Sequence, residues 1–133
     1  GFDVREGNGF AEGLLPLIRA AGVPLIHPHG RHLARELPVR GMVVYDQEPV
    51  PLNDQAQALL AGEAPVVLPL FSPRSARLVA DAARGARAPL WPVAISAAAW
   101  AAWDGPAAGH ALADHPGAAA MAAAIRRLPL AEQ

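Results

Sequence analysis

The sequence contains no cysteine, no lysine and no threonine, and has only one tyrosine and three serines. Without cysteine there is no disulfide, thiol nucleophile or thiolate metal ligand, and the composition fits a cytoplasmic protein. All eleven cationic side chains are arginine, so a lysine Schiff base or amine nucleophile is excluded. The formal charge of -1 leaves no basic excess of the kind a nucleic-acid surface needs. No apolar run approaches the ~20 residues of a membrane span without charge or proline, and no secretory signal pattern occurs. The abundant alanine, mostly in the last third, raises the hydrophobic fraction without adding bulky core and favours helix. A length of 133 residues suffices for one domain or two small lobes.

The few hydroxyl residues are concentrated. The apolar run Val66–Phe71 stops at Ser72-Pro73-Arg74-Ser75, and a helical pattern follows. Ser72 reads as an N-cap and Pro73 as the first helical residue, where a missing N–H costs nothing. The same junction recurs where Pro92–Ile95 ends at Ser96, followed by Ala97, Ala98 and Ala99. A third version is Leu112-Ala113-Asp114-His115-Pro116-Gly117. In parallel α/β folds such junctions share one edge of the sheet, where ligands bind and where free helix N–H groups attract anions. The plainer reading is that the serines only cap helices.

Along the chain, Phe2–Val4 reads as the end of a strand and Gly7-Asn8-Gly9 as a turn. Phe10–Ala21 has helical spacing despite Pro16, and Gly22 ends it. Pro24–His27 and Met42–Tyr45 read as strands, with one or two helical turns over Arg31–Leu37 between them. Glu48-Pro49-Val50-Pro51 is an extended connector, because each proline disfavours helix in the residue before it. Asn53 or Asp54 caps a helix through Leu60, and strands and helices then alternate to about Leu128. The pattern is α/β with parallel sheets. It divides into a remainder of one lobe (1–47), a connector (48–52) and the terminal lobe (53–133).

Taken in order, these pieces resemble the C-terminal part of the uroporphyrinogen-III synthase family. The matching segments are Gly7-Asn8-Gly9 with Ala11-Glu12-Gly13-Leu14, then Pro24–Gly30 with Arg35-Glu36-Leu37-Pro38. They continue as Val43-Val44-Tyr45 before Pro49, Phe71-Ser72-Pro73, Ala94-Ile95, and Ala113-Asp114-His115-Pro116. No single piece is specific, but the ordered set spans nearly the whole chain. The resemblance implies two α/β lobes with parallel sheets flanked by helices, joined by extended connectors, with the substrate between them. The family is nearly twice as long, so the first half is expected to be missing here. About ten further residues are expected to be missing between Pro38 and Val39. At the Ile95 junction the family's glycine and hydroxyl residues are replaced by Ser96, Ala97, Ala98 and Ala99.

The resemblance further implies a lyase that needs no cofactor and no metal, and that works as a monomer on a linear tetrapyrrole. Hydroxymethylbilane loses its terminal hydroxyl to give an azafulvene. The last pyrrole attacks through its substituted carbon, and a spiro intermediate fragments and recloses with ring D inverted. The pyrroles supply the electrons, so the protein's task is positioning. Tyr45 lies where the family has a tyrosine beside the cleft and is the implied general acid for the departing hydroxyl; a half-buried strand-end tyrosine is the alternative. Gly30, Arg31, Ser72, Pro73, Arg74, Ser75, Ser96, Ala97 and Ala98 are the implied substrate-binding residues. Arg74 and Arg77 flank a helix start and would meet carboxylates or face solvent.

His27, His29 and His32 have a spacing that a metal site could use, but nearby carboxylates are few, and loop histidines are the simpler reading. The Gly7–Gly13 segment has the wrong spacing for a dinucleotide loop. Trp91, Trp100 and Trp103 are expected in the core, the last two in helical spacing on one element. The competing functions are a non-catalytic α/β module that binds a small anion, and an inactive truncated relative. A phosphoryl-accepting receiver domain would need a downstream lysine, which the chain lacks.

Overall fold

A computed structural model describes residues 1–33 and 35–130 and divides the chain into two compact units, Gly1–Glu48 and Pro49–Gln133. In the second unit, helix α2 (Asp54–Ala61) is followed by β3 (Val66–Leu70), α3 (Pro73–Ala82), β4 (Leu90–Ala94), α4 (Ala97–Ala101), β5 (Ala111–Leu112) and α5 (Ala118–Arg126). The three strands form a parallel sheet in the order β3-β4-β5, with Leu70 level with Ala94 and Ala94 level with Leu112.

Alternation along the strands sorts the core into two layers. Leu70, Leu90 and Ala94 face α2, α3 and α4, where they meet Leu60, Ala76, Ala83 and Ala99. Val93 faces the opposite way, against Met121, Ala124 and Leu128 of α5 and its end. Ala76, Ala80, Ala99 and Ala124 are fully buried. The alanines are therefore more than a helix-favouring composition: they form the buried faces that let these helices lie close to the sheet. Trp103 packs against both clusters on the first face, yet it lies beyond α4, which ends at Ala101. The expectation that Trp100 and Trp103 share a helical element is corrected accordingly.

Prolines inside strands cost no pairing here, because each missing N–H points where no ladder bond is made. Leu70 accepts from the Ile95 N–H at 2.9 Å, so the next residue back, Pro69, faces the open edge of β3. Leu90 and Ala94 accept from the β5 side, from Ala108 and Ala113, so Pro92 also faces that side, ahead of the start of β5.

The first unit is built differently. A 3₁₀ turn (Ala11–Leu14) leads into α1 (Leu15–Ala20), with Pro16 in its first turn. Pro16 can occupy that turn but could not extend an α-helix backwards through it, so the expected single helix becomes two pieces. Gly22 follows with φ +64°, the left-handed conformation that ends a helix. β1 (Ile26–Gly30) and β2 (Arg40–Tyr45) pair in parallel, with an irregularity between His29 and Gly30.

Two sequence expectations fail in this unit. Phe2–Val4 is not a strand, and Phe2 is almost wholly exposed. Among the described residues of 31–39 there is no helix. Parallel strands ordinarily need a connection of a dozen or more residues to carry a helix, and this one is too short. Its charged side chains instead reach sideways, Arg31 to Asp46 and Arg35 to Glu12.

Candidate functional site

At the C-terminal end of β1 and β2, backbone pairing fixes the local geometry. The Arg31 N–H donates to the Tyr45 carbonyl at 2.9 Å, which brings the residues following the two strands side by side. The Arg31 Nε then donates to Asp46 Oδ2 at 2.5 Å, and His32 Nε2 lies 3.6 Å from Asp46 Oδ1. The Arg31 guanidinium, by this hydrogen bond, holds the Asp46 carboxyl below the usual aspartate range.

The Tyr45 ring lies over Gly30. A Cβ at position 30 would come within 2.5 Å of Cε2 and 3.0 Å of the hydroxyl oxygen, so glycine is what lets the phenol lie flat there. Tyr45 is about half exposed, at 54%. His29 Nδ1 lies 2.8 Å from the Gly30 carbonyl oxygen, to which it can only donate, and its ring stands 5.0 Å from that of His27. The cluster thus comprises Gly30, Arg31, His32, Tyr45 and Asp46. Asp46 was not singled out from the sequence. The usable signal was an acidic residue directly after one parallel strand and an arginine directly after the other.

In the second unit β3, β4 and β5 run parallel and nearly level, so the three junctions leave one edge of the sheet. Ser72 closes a full capping box with Ser75: Ser72 Oγ accepts from the Ser75 N–H, and Ser75 Oγ accepts from the Ser72 N–H, both at 3.0 Å. Pro73 opens α3. Ser96 Oγ accepts from the Ala99 N–H at 3.2 Å, with Ala97 and Ala98 exposed in the first turn of α4. The third junction has no side-chain cap; Gly117 precedes α5. Beside it, Arg127 donates to both carboxylate oxygens of Asp114, at 2.9 and 3.2 Å, and to the Leu112 carbonyl. That guanidinium keeps the Asp114 carboxyl below its ordinary value.

All three serine hydroxyls are therefore engaged at helix starts. What this edge can offer an anion is the remaining backbone N–H groups and the two arginines of α3. Arg74 is half-buried and Arg77 exposed, and among the described residues neither forms an ion pair. Among the described residues no group of histidines and carboxylates converges as a metal site, and no helix is long and apolar enough to cross a membrane.

A cavity of about 540 Å³ in the first unit lies between α1 and β1, lined by Leu14, Leu17, Ile18, Leu25, Ile26 and Val39, with Asp3 and Arg5 at its margin. His27 also lines it, but none of the expected catalytic or substrate-binding residues does. No protein-family model matches the chain, and no curated protein or solved structure matches it.

Proposed function

We propose that the chain is a uroporphyrinogen-III synthase-type lyase, closing hydroxymethylbilane to uroporphyrinogen III with inversion of ring D and loss of water. The observation that carries this reading is the ordered series of motifs from Gly7 to Pro116. The α/β class, the parallel sheets flanked by helices and the half-exposed phenol at a strand end are compatible with it.

In this reading Tyr45 donates its proton to the departing hydroxyl, which leaves as water, and the electrons come from the pyrrole nitrogen. A phenol carries the O–H that such a donor needs. Arg31, held against Asp46, and the flat Gly30 backbone orient one part of the substrate. In the second unit, the N–H groups at the start of α3, with Arg74, are groups of the kind that suit a carboxylate. Ser72, Pro73, Ser75, Ser96, Ala97 and Ala98 act by shaping those helix starts. No metal or organic cofactor enters the scheme.

The test is Tyr45→Phe. Turnover of hydroxymethylbilane should fall roughly 10²-fold, the low end for general-acid assistance, while the thermal transition is unchanged. Full turnover by the variant would remove the acid assignment and leave positioning alone.

A second reading is favoured by the first unit, where Gly30 is the only buried residue among those described. Here the chain is a non-catalytic relative that retains only small-anion binding at the edge of the second sheet. Saturable binding of a polycarboxylate tetrapyrrole with no isomer-specific closure would support it.

A further inference from the structure

The two asparagines of the chain, Asn8 and Asn53, stand in opposite settings. Asn53 caps α2: its Oδ1 accepts from the Ala56 N–H at 2.9 Å, and the residue after it, Asp54, is already helical. Asn8 is followed by Gly9 in an exposed bend ahead of the 3₁₀ turn. Gly9 has φ +86°, in the left-handed region that favours glycine. Among the described residues the Gly9 N–H donates no hydrogen bond.

The Asn8 side chain is folded back over this backbone. Its Oδ1 accepts from the Phe10 N–H at 3.2 Å, closing an Asx turn. A Cβ at position 13 would lie 2.8 Å from Asn8 Cγ, so Gly13 leaves the space that the carboxamide occupies. The Gly13 N–H in turn donates to the Phe10 carbonyl at 3.1 Å, which holds the two ends of this bend together. The arrangement suits attack of the Gly9 nitrogen on Asn8 Cγ. That nitrogen has no competing hydrogen bond, and its residue has no side chain to obstruct the approach. The Phe10 N–H already sits at the oxygen on which negative charge would develop.

We propose that Asn8 is a site of spontaneous, backbone-assisted deamidation. The Gly9 nitrogen loses its proton to solvent base and bonds to Asn8 Cγ; the Cγ–Nδ2 bond breaks, and ammonia leaves with a proton taken from water. The five-membered imide that results adds one water at either of its carbonyls and opens to aspartate or isoaspartate. Nothing is oxidised or reduced. Either product adds one negative charge to a chain of formal charge -1. Isoaspartate also lengthens the main chain by one carbon just before the 3₁₀ turn. The inference stands independently of the catalytic reading.

Trypsin separates the two asparagines, since Arg5 and Arg19 bracket Asn8 while Arg40 and Arg74 bracket Asn53. The full chain is incubated at neutral and mildly alkaline pH, then digested and analysed by mass spectrometry for amide-to-acid conversion, with isoaspartate identified by fragmentation. Conversion at Asn8 should run within a few fold of the rate in the free peptide 6–19, rise with pH, and yield isoaspartate as well as aspartate. Asn53 should keep its amide over the same period. Gly9→Ala should slow the conversion severalfold, in the chain and in the peptide alike. The unmodified chain carries the test, whatever the variant does to the bend. An Asn8 amide intact after most of the free peptide has converted would overturn the proposal. So would equal conversion at both asparagines, or aspartate formed without isoaspartate.

Discussion

Trp103 is the one side chain among those described with a buried polar atom and no partner: its indole Nε1 donates to nothing. An unpaired buried N–H costs on the order of 1–3 kcal/mol, while the ring itself joins two core clusters and presses against Gly105. The two contributions can be separated by substitution. Trp103→Phe should leave stability unchanged or raise it, because the polar atom goes and most of the ring stays. Trp103→Ala should lower it by about 3 kcal/mol. Urea unfolding of both variants measures this, and a Phe variant much weaker than wild type would mean that the indole is held by more than packing. At this scale the sequence was legible where a residue acts on its immediate neighbours. Ser72 and Pro73 announced a helix start through local backbone chemistry alone. The orphaned indole and the Arg31–Asp46 pair were not legible, because each depends on segments that meet only when the chain folds.

Helix starts and strand edges tell the same story one level up. The capping box at α3 predicts that Ser72→Ala costs ~1 kcal/mol, because it strands the Ser75 N–H and loosens the reciprocal bond. Ser75→Ala should cost less than an independent second cap when added to it, since the two hydroxyls form one unit. The end of α5 is fastened to the end of β5 by Arg127 and Asp114. The Asp114 carboxyl is depressed in the folded chain, so the folded state binds a proton less readily than the unfolded state. Its contribution is complete above the ordinary aspartate value, about pH 4, and is lost as pH falls through the lower folded value. Thermal unfolding of wild type and Asp114→Asn should therefore differ at pH 6 and converge toward pH 2. A gap that persists unchanged in acid would assign the difference to packing.

The order of elements from Asn53 onward was legible because apolar runs, caps and alanine-rich helices alternate without conflict. The stretch between β1 and β2 was misread as helix. Its spacing suited one, but the connection is too short for a crossover helix, and its arginines are drawn to Asp46 and Glu12.

As a whole molecule the chain is uneven. The second unit has buried clusters on both faces of its sheet; the first has an open pocket and a sheet of only two strands. Amide hydrogen exchange should accordingly be slow in β3, β4, α3 and α5. It should be fast in β1 and β2, because protection follows buried apolar contact. Slow exchange in β2 would contradict this picture of the first unit. The functional assignment rests on a pattern spread over the entire sequence, and its chemistry has an unusually direct readout. Hydroxymethylbilane left alone closes without inversion, so the isomer of the product separates protein-directed from spontaneous closure. The decisive measurement is the isomer composition formed from hydroxymethylbilane with and without the full chain. The account predicts uroporphyrinogen III in excess, increasing with protein concentration, and the non-inverted isomer alone, at the protein-free rate, would contradict it.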